Sequence, residues 1–427
     1  MFYIFTLLFL LVASRANFLS FIEPFIYLFT VIYFIAGVQL NRFKQSDFRL
    51  FGKFTLIFFS YVTIRWVFFN HIAFRFYLYD VTFYLKRFIF VFVYCAVLKE
   101  QAVIYLVKVI THLAIISLIF YPLQLVVPSF VFGIGEFIHL PPRSGNIDYS
   151  NFFFYTFDKG QPGRNSGFVW EPGAYGCFLV LGLLMHFLLN KFKFDRNAFY
   201  LVLAIITTLS TTSYLGMSIV FLLFYRIHGG KLGPLLFLVV PIVAVIALEV
   251  PFLFDKIDST YSGDQQSLES LDGLNKHFDR VGVGQISLNR FASATIIYNL
   301  FGPNLIWGLS NGYQGVNRAF RNLNISNGDA DIIAKYGLIG YGFYLYRYGL
   351  LVKNFVKKNE YVFYAIVIFI VLAFGECMPI FHTSLAFLFL YHYVSPETLS
   401  IDETDEEEEE RDEADAEHHV AVLNESN

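Results

Sequence analysis

Residues 196–227 read RNAFYLVLAIITTLSTTSYLGMSIVFLLFYRI, and how this stretch is folded decides the rest. It is long and apolar enough to form one helix. Basic residues bracket it, however: Lys191, Lys193 and Arg196 on one side, Arg226 and Lys231 on the other. Short loops rich in Lys and Arg stay on the cytoplasmic side of a membrane, so the chain has to cross and return. The polar run Thr207-Thr208-Leu209-Ser210-Thr211-Thr212-Ser213 is the place to turn. A helical hairpin is expected here.

Working outward, a hydrocarbon core of about 30 Å takes roughly 20 apolar residues per helix, fewer where neighbours shelter the ends. Apolar runs fall at 2–13, 18–40, 51–69, 82–98, 102–128, 172–190, 198–210, 213–226, 232–250, 331–350, 361–376 and 380–394. With both termini cytoplasmic, Arg42, Lys44, Arg49, Lys53, Lys99, Arg347, Lys353, Lys357 and Lys358 join the ends of the hairpin on one side. The expected fold is all-α. Residues 1–395 form a polytopic membrane domain with about 12 transmembrane helices, and residues 396–427 form an acidic, disordered cytoplasmic tail. Two long loops, about 129–171 and 251–330, then face outward, where function concentrates. Neither reads as a folded domain, although RFASATIIYNL (290–300) has the pattern of an amphipathic helix lying on the membrane.

Composition agrees. The chain has 427 residues, 56% of them apolar, 20% aromatic and 15% charged, against roughly 45–50% apolar and about 25% charged in a soluble domain. Its net charge of −3 hides an asymmetry. Twelve acids lie between Asp402 and Glu417, flanked by Glu397 and Glu425; residues 1–395 hold 30 Lys and Arg against 20 Asp and Glu. This is a basic, aromatic membrane protein with an acidic tail, and it is not built to hold nucleic acid. Cys95, Cys177 and Cys377 sit far apart inside apolar runs and read as packing residues, not as a disulfide framework or metal site. The N-terminal apolar run has no positive leader and reads as the first span.

Three constellations carry potential chemistry. The first is RNSGFVWEPG (164–173). Pro172 suits the first position of a helix, which puts Glu171 beside its positive dipole end. Arg164 offers a planar fork that Lys lacks; the plainer alternative is a capped helix with Arg164 paired to Glu171 or a lipid phosphate. The second is SLNR (287–290) followed by FGPNLIWGLSNG (301–312). The third is SNGDAD (326–331) leading into KYGLIG (335–340), with Asp329 or Asp331 at the mouth of the tenth span. Its plainer alternative is an Asp cap with a snorkelling Lys335. Arg65, Lys86 and Arg87 lie near the outer ends of their spans, where they either line an anionic pocket or snorkel. Glu376 and His382 flank the turn before the last span and either reach such a pocket or bond to each other.

In this order the motifs resemble the bacterial O-antigen polymerase family and the related O-antigen ligases. RNSGFVWEPGAYG opens a span, a short hairpin turns at LSTTSYLG, and a large loop before the last three spans carries an Arg, NLFGPNLIWGLSNG and NGDADIIAKYGLIGYGFY. The resemblance covers roughly residues 50–395. Ligases and some polymerases carry a His just before the tenth span. This chain has Asn327-Gly328-Asp329 there, which argues against a ligase and makes Asp329 the matching position.

The resemblance implies a metal-independent glycosyltransferase without a cofactor, multi-pass in the bacterial inner membrane. It would join undecaprenyl-diphosphate-linked oligosaccharide repeat units at the outer face into a surface polysaccharide such as that of lipopolysaccharide, with a chain-length regulator as partner. Arg164, Arg290, Arg318 and Arg321 would neutralise the diphosphate. Asp329, Glu171 or Asp331 would be the base for the acceptor hydroxyl, Asp329 ahead because a helix N-terminus stabilises the Glu171 anion. Trp170 and Trp307 offer flat faces to sugar rings. Two alternatives stand beside it: an O-antigen ligase, and a transporter or flippase of lipid-linked sugars. A transporter would place charges at mid-membrane depth and often shows internal repeats, which this sequence lacks.

Overall fold

An apolar run with polar neighbours satisfies its backbone most cheaply as a helix, and the fold is mostly helical. The computed structural model describes residues 1–17, 19, 24–70, 73–138, 149–228, 286–287, 290–315, 323–356 and 358–394. The expected span 232–250, the tail, and Arg318 and Arg321 lie outside the described residues.

The helices are α1 (Phe2–Ala13), α2 (Pro24–Gln39), α3 (Gln45–Ile64), α4 (Phe74–Phe83), α5 (Ile89–Leu98), α6 (Gln101–Val126), α7 (Pro128–Ile138), α8 (Pro172–Leu189), α9 (Arg196–Thr207), α10 (Thr211–Ile227), α11 (Arg290–Phe301), α12 (Gly328–Lys353), α13 (Asn359–Gly375) and α14 (His382–Leu390). Among the described residues, four stretches are long and apolar enough to cross a membrane: Gln45–Phe69, Phe74–Leu98, Gln101–Val126 and Pro172–Leu189. The apolar helices α1, α2, α9, α10 and α13 are shorter. The last run, expected over 380–394, is helical only for the nine residues of α14, about 14 Å of rise.

The hairpin expected over 196–227 is present. α9 ends at Thr207, α10 starts at Thr211, and the Ser210 hydroxyl accepts from the Ser213 amide at 3.4 Å. Both arms pack on α8, as do α6 and α13. Every residue of α8 from Pro172 to Leu188 is buried, as a helix apolar on all its faces but for His186 must be at a bundle centre.

The segment between α6 and α8 carries more structure than its sequence announces. Val127 separates α6 from α7, and a hairpin follows, β1 (Tyr149–Asn151) antiparallel to β2 (Thr156–Asp158). Val131, Phe132, Phe152, Tyr155 and Phe157 bury against one another. Gln124 of α6 ties this unit down, accepting from the Tyr155 hydroxyl and donating to the Pro162 carbonyl, each at 2.7 Å. In the second long segment α11 forms where a helix was expected, with Ala292, Ser293, Ile296 and Ile297 on its buried face.

One polar knot fixes this second segment. α3 runs on into a π-helical turn, Arg65–Asn70, and α4 into another, Tyr84–Phe88. Arg65 and Asp80 form an ion pair at 1% and 0% exposure. Asp80 Oδ1 also accepts from the backbone and side-chain nitrogens of Asn311 at 2.8 and 2.9 Å, while Arg65 Nη1 donates to the Lys335 carbonyl at 2.6 Å. The Tyr61 hydroxyl lies 2.7 Å from the Trp307 and Tyr336 carbonyls. Here α12 is kinked: Gly337 has φ 72°, and a Cβ on it would sit 2.4 Å from the Ile306 carbonyl oxygen. Arg65 is therefore paired inside the fold with Asp80 and the Lys335 carbonyl. Asp80→Ala, which leaves a buried guanidinium unpaired, is expected to cost about 3–5 kcal/mol. Unfolding of the purified protein in detergent measures it, and a double change of Arg65 and Asp80 to apolar residues should recover part of the loss.

Candidate active site

Pro172 opens α8 as its sequence requires and leaves Glu171 as the N-cap residue with extended backbone, φ −154° and ψ 157°. Its carboxyl makes no capping bond, contrary to the expectation of a structural cap. Glu171 Oε1 accepts from the Trp170 indole nitrogen at 2.7 Å.

Glu376 comes from the turn after α13, 205 residues further along, and its side chain is 8% exposed. It approaches the first turn of α8 because residue 173 is glycine: a Cβ there would lie 2.3 Å from Glu376 Oε1. Arg290, the first residue of α11, closes the group. Its Nε donates to the Gly375 carbonyl at 2.7 Å and its Nη2 to Glu376 Oε1 at 3.2 Å.

Arg164 arrives from the other long segment. Its Nε donates to the Thr208 carbonyl at 3.0 Å and its Nη1 to Gln161 Oε1 at 2.6 Å. Asn165 fastens the same stretch to the hairpin turn, its amide donating to the Thr207 carbonyl at 3.0 Å. Burial pushes the Arg164 guanidinium down from its ordinary pKa; Glu171 and Glu376 pull it up, and Arg290 pushes it down. Four segments thus bring two guanidiniums and two carboxyls into mutual electrostatic reach at the start of α8.

The Asp pair of α12 lies beside this group. Asn327 caps the helix, accepting from the Ala330 amide at 2.9 Å and donating to the Arg290 carbonyl at 3.1 Å. Neither Asp is the cap. Asp331 binds Lys335 at 2.5 Å and accepts from the Tyr313 hydroxyl at 3.0 Å, so Lys335 is paired and does not snorkel. Asp329 accepts from the Tyr341 hydroxyl. It precedes the expected span 331–350, and burial pushes its carboxyl up to about 7 against the lowering effect of Tyr341.

The aromatic candidates are partly committed. Trp307 stacks on Phe69 at 3.9 Å, and Trp170 meets Phe381 edge-on at 5.2 Å with Arg15 5.9 Å above its ring. Glu376 and His382 take different partners: the His382 ring lies 3.3 Å from Arg87. A cavity of about 160 Å³ with apolar walls opens between α3 and α12, lined by Phe54, Phe58, Tyr336, Phe343, Pro379 and Ile380. Pro379 and Ile380 belong to the turn that carries Glu376. Among the described residues no three His, Cys, Asp or Glu side chains gather as a metal would need.

Arg164, Glu171 and Arg290 are thus brought together, Trp170 with them; Asp329 and Asp331 follow two and four residues after Asn327, which touches Arg290. Glu376 is the member that sequence reasoning left undecided, and its only signal was a carboxylate ending an apolar run. No family model, curated protein or solved structure matches the chain.

Asp329 makes a prediction about pH. Unfolded, its carboxyl has the ordinary value of 3.8; folded, it reaches about 7. Between these the folded state binds more protons, so stability is greatest below the unfolded value, falls as pH rises to about 7, and is level above it. Thermal unfolding across this window should show the slope in the wild type and a smaller one in Asp329→Asn.

Proposed function

We propose that this chain is a polymerase of a bacterial surface polysaccharide, a metal-independent glycosyltransferase joining diphosphate-linked oligosaccharide repeat units. In this reading about twelve spans lie in the inner membrane, both termini are cytoplasmic, and the segments 129–171 and 251–330 face outward with the charged group on the outer surface. The observation that carries it is the gathering of Arg164, Arg290, Glu171 and Glu376 within electrostatic reach near the start of α8, with an apolar cavity lined in part by Pro379 and Ile380 of the turn that carries Glu376.

Each part meets a demand of the reaction. The leaving group is a lipid diphosphate, and two guanidiniums in a water-poor site stabilise the negative charge that grows on it. The cavity suits the hydrocarbon chain of that lipid. Glu171 is the half-buried carboxyl beside the arginines, and it takes the proton of the acceptor hydroxyl as the new glycosidic bond forms. On geometry it comes ahead of Asp329 as the first candidate base, since among the described residues Asp329 is engaged by Tyr341. Arg318 and Arg321 remain candidates for the diphosphate by their place in the sequence.

The test is made in cells. Arg164→Ala and Arg290→Ala should each cost around 3 kcal/mol of transition-state stabilisation, leaving single repeat units in place of polymer at normal protein levels. Lys at either position should restore only part of the activity, because an ammonium lacks the fork. Normal polymer ladders from both Ala variants would remove these residues and the mechanism with them.

A further inference from the structure

We propose that the turn from Glu376 to His382 holds a lipid diphosphate lengthwise. Its sugar-side phosphate lies on Arg164 and Arg290, and its lipid-side phosphate at the start of α14 with Arg15 and Arg87. The proposal takes its ligand from the polymerase reading, but the second subsite is built from residues that reading does not use.

α14 begins at His382, and its N-cap residue, Phe381, has no side chain that accepts from the first-turn amides. Such a helix end attracts an anion through its N–H groups and its dipole. Two further donors sit in the same turn. Thr383 and Ser384 are 7% and 0% exposed, and neither hydroxyl has a hydrogen-bond partner among the described residues. Buried polar groups in a folded chain are nearly always partnered. A phosphate oxygen accepts from hydroxyls and amides alike and is the partner that suits this turn.

Two guanidiniums converge on the same two residues, Phe381 and His382. Arg15, in the turn after α1, lies over the Phe381 ring at 5.0 Å and the Trp170 ring at 5.9 Å. Its φ of 53° is one that an arginine keeps only where its surroundings hold it. Arg87, from the π-helical turn Tyr84–Phe88, stands 3.3 Å from the His382 ring. Both arginines are half-buried, so water still reaches them.

The neighbours on each side give the ligand a direction. Phe88 and Leu385, next in sequence to Arg87 and Ser384, line the apolar cavity. On the other side Trp170, whose ring Arg15 overlies, donates its indole N–H to Glu171, and Glu376 accepts from Arg290. Cavity, first phosphate, second phosphate and base thus follow the order of lipid tail, diphosphate and sugar.

Titrating the purified full chain in detergent with undecaprenyl phosphate, undecaprenyl diphosphate and inorganic diphosphate tests this. Both lipids place their first phosphate at α14, and only the diphosphate extends to Arg164 and Arg290. Arg15→Gln, Arg87→Gln and Thr383→Val should therefore weaken both lipids alike, each by about tenfold or more. Arg164→Ala and Arg290→Ala should weaken the diphosphate lipid alone and erase its advantage over the monophosphate. Thr383→Val guards against a folding defect, because among the described residues its hydroxyl has no partner to lose. Inorganic diphosphate, which lacks the tail, should displace neither lipid at equal concentration. Wild-type affinity for undecaprenyl phosphate in Thr383→Val, or in both Arg15→Gln and Arg87→Gln, would overturn the second subsite. Displacement by inorganic diphosphate at equal concentration would make this a site for free anions and overturn the lipid headgroup. If the binding pattern is as expected but the wild type polymerises nothing, the lipid diphosphate site stands and the polymerase reading fails.

Discussion

The ion pair between Arg65 and Asp80 is the contact on which the charged group depends. It lies at nearly zero exposure between two helices, and each partner has hydrogen bonds to spare for the rest of the chain. Asp80 uses them on Asn311 and Arg65 on the Lys335 carbonyl. The segment after α11 and the kink of α12 are thereby clamped to α3 and α4. A buried pair is worth little as net stability, and breaking it is expensive. Its consequence here is position: α11 is held where its first residue, Arg290, meets the turn after α13.

That placement gathers charges that the sequence keeps far apart. Arg164 is fastened by the hairpin turn of α9 and α10, Glu171 by Pro172 at the start of α8, Arg290 by Asn327 and the Gly375 carbonyl, and Glu376 by Arg290. No long flexible side chain is left to find its own place. Such preorganisation makes electrostatic stabilisation effective, because little has to reorient as charge develops. The apolar cavity bordering the same turn gives the group a neighbour of opposite character, as an amphiphilic substrate with an anionic head requires.

The helices were legible because apolar runs and basic flanks are local signals. The α9–α10 turn follows from Thr207–Ser213 and the basic residues on both sides, and the start of α8 from Pro172 alone. The hairpin at 149–158 was not legible: its buried Phe and Tyr residues have no regular spacing, so neither period stands out. The pairing of Glu376 with Arg290 was hidden by sequence distance, and a lone carboxylate ending an apolar run gives no direction. Asp80 was passed over for the same reason, though an Arg and an Asp in consecutive apolar helices are a hint that each neutralises the other. Asp329 matched a family position in the sequence, but Tyr341 is its partner in the fold, a contact that the kink at Gly337 makes possible.

The proposed activity is the joining of lipid-diphosphate-linked oligosaccharides. The most direct measurement is reconstitution of the purified protein in liposomes with a synthetic repeat unit on a lipid diphosphate, without nucleotide sugars. Mass spectrometry should then find oligomers of two or more repeats on the lipid, with free lipid diphosphate released for each new linkage. A substrate that crosses the bilayer or stays bound but keeps its single repeat unit would contradict the account.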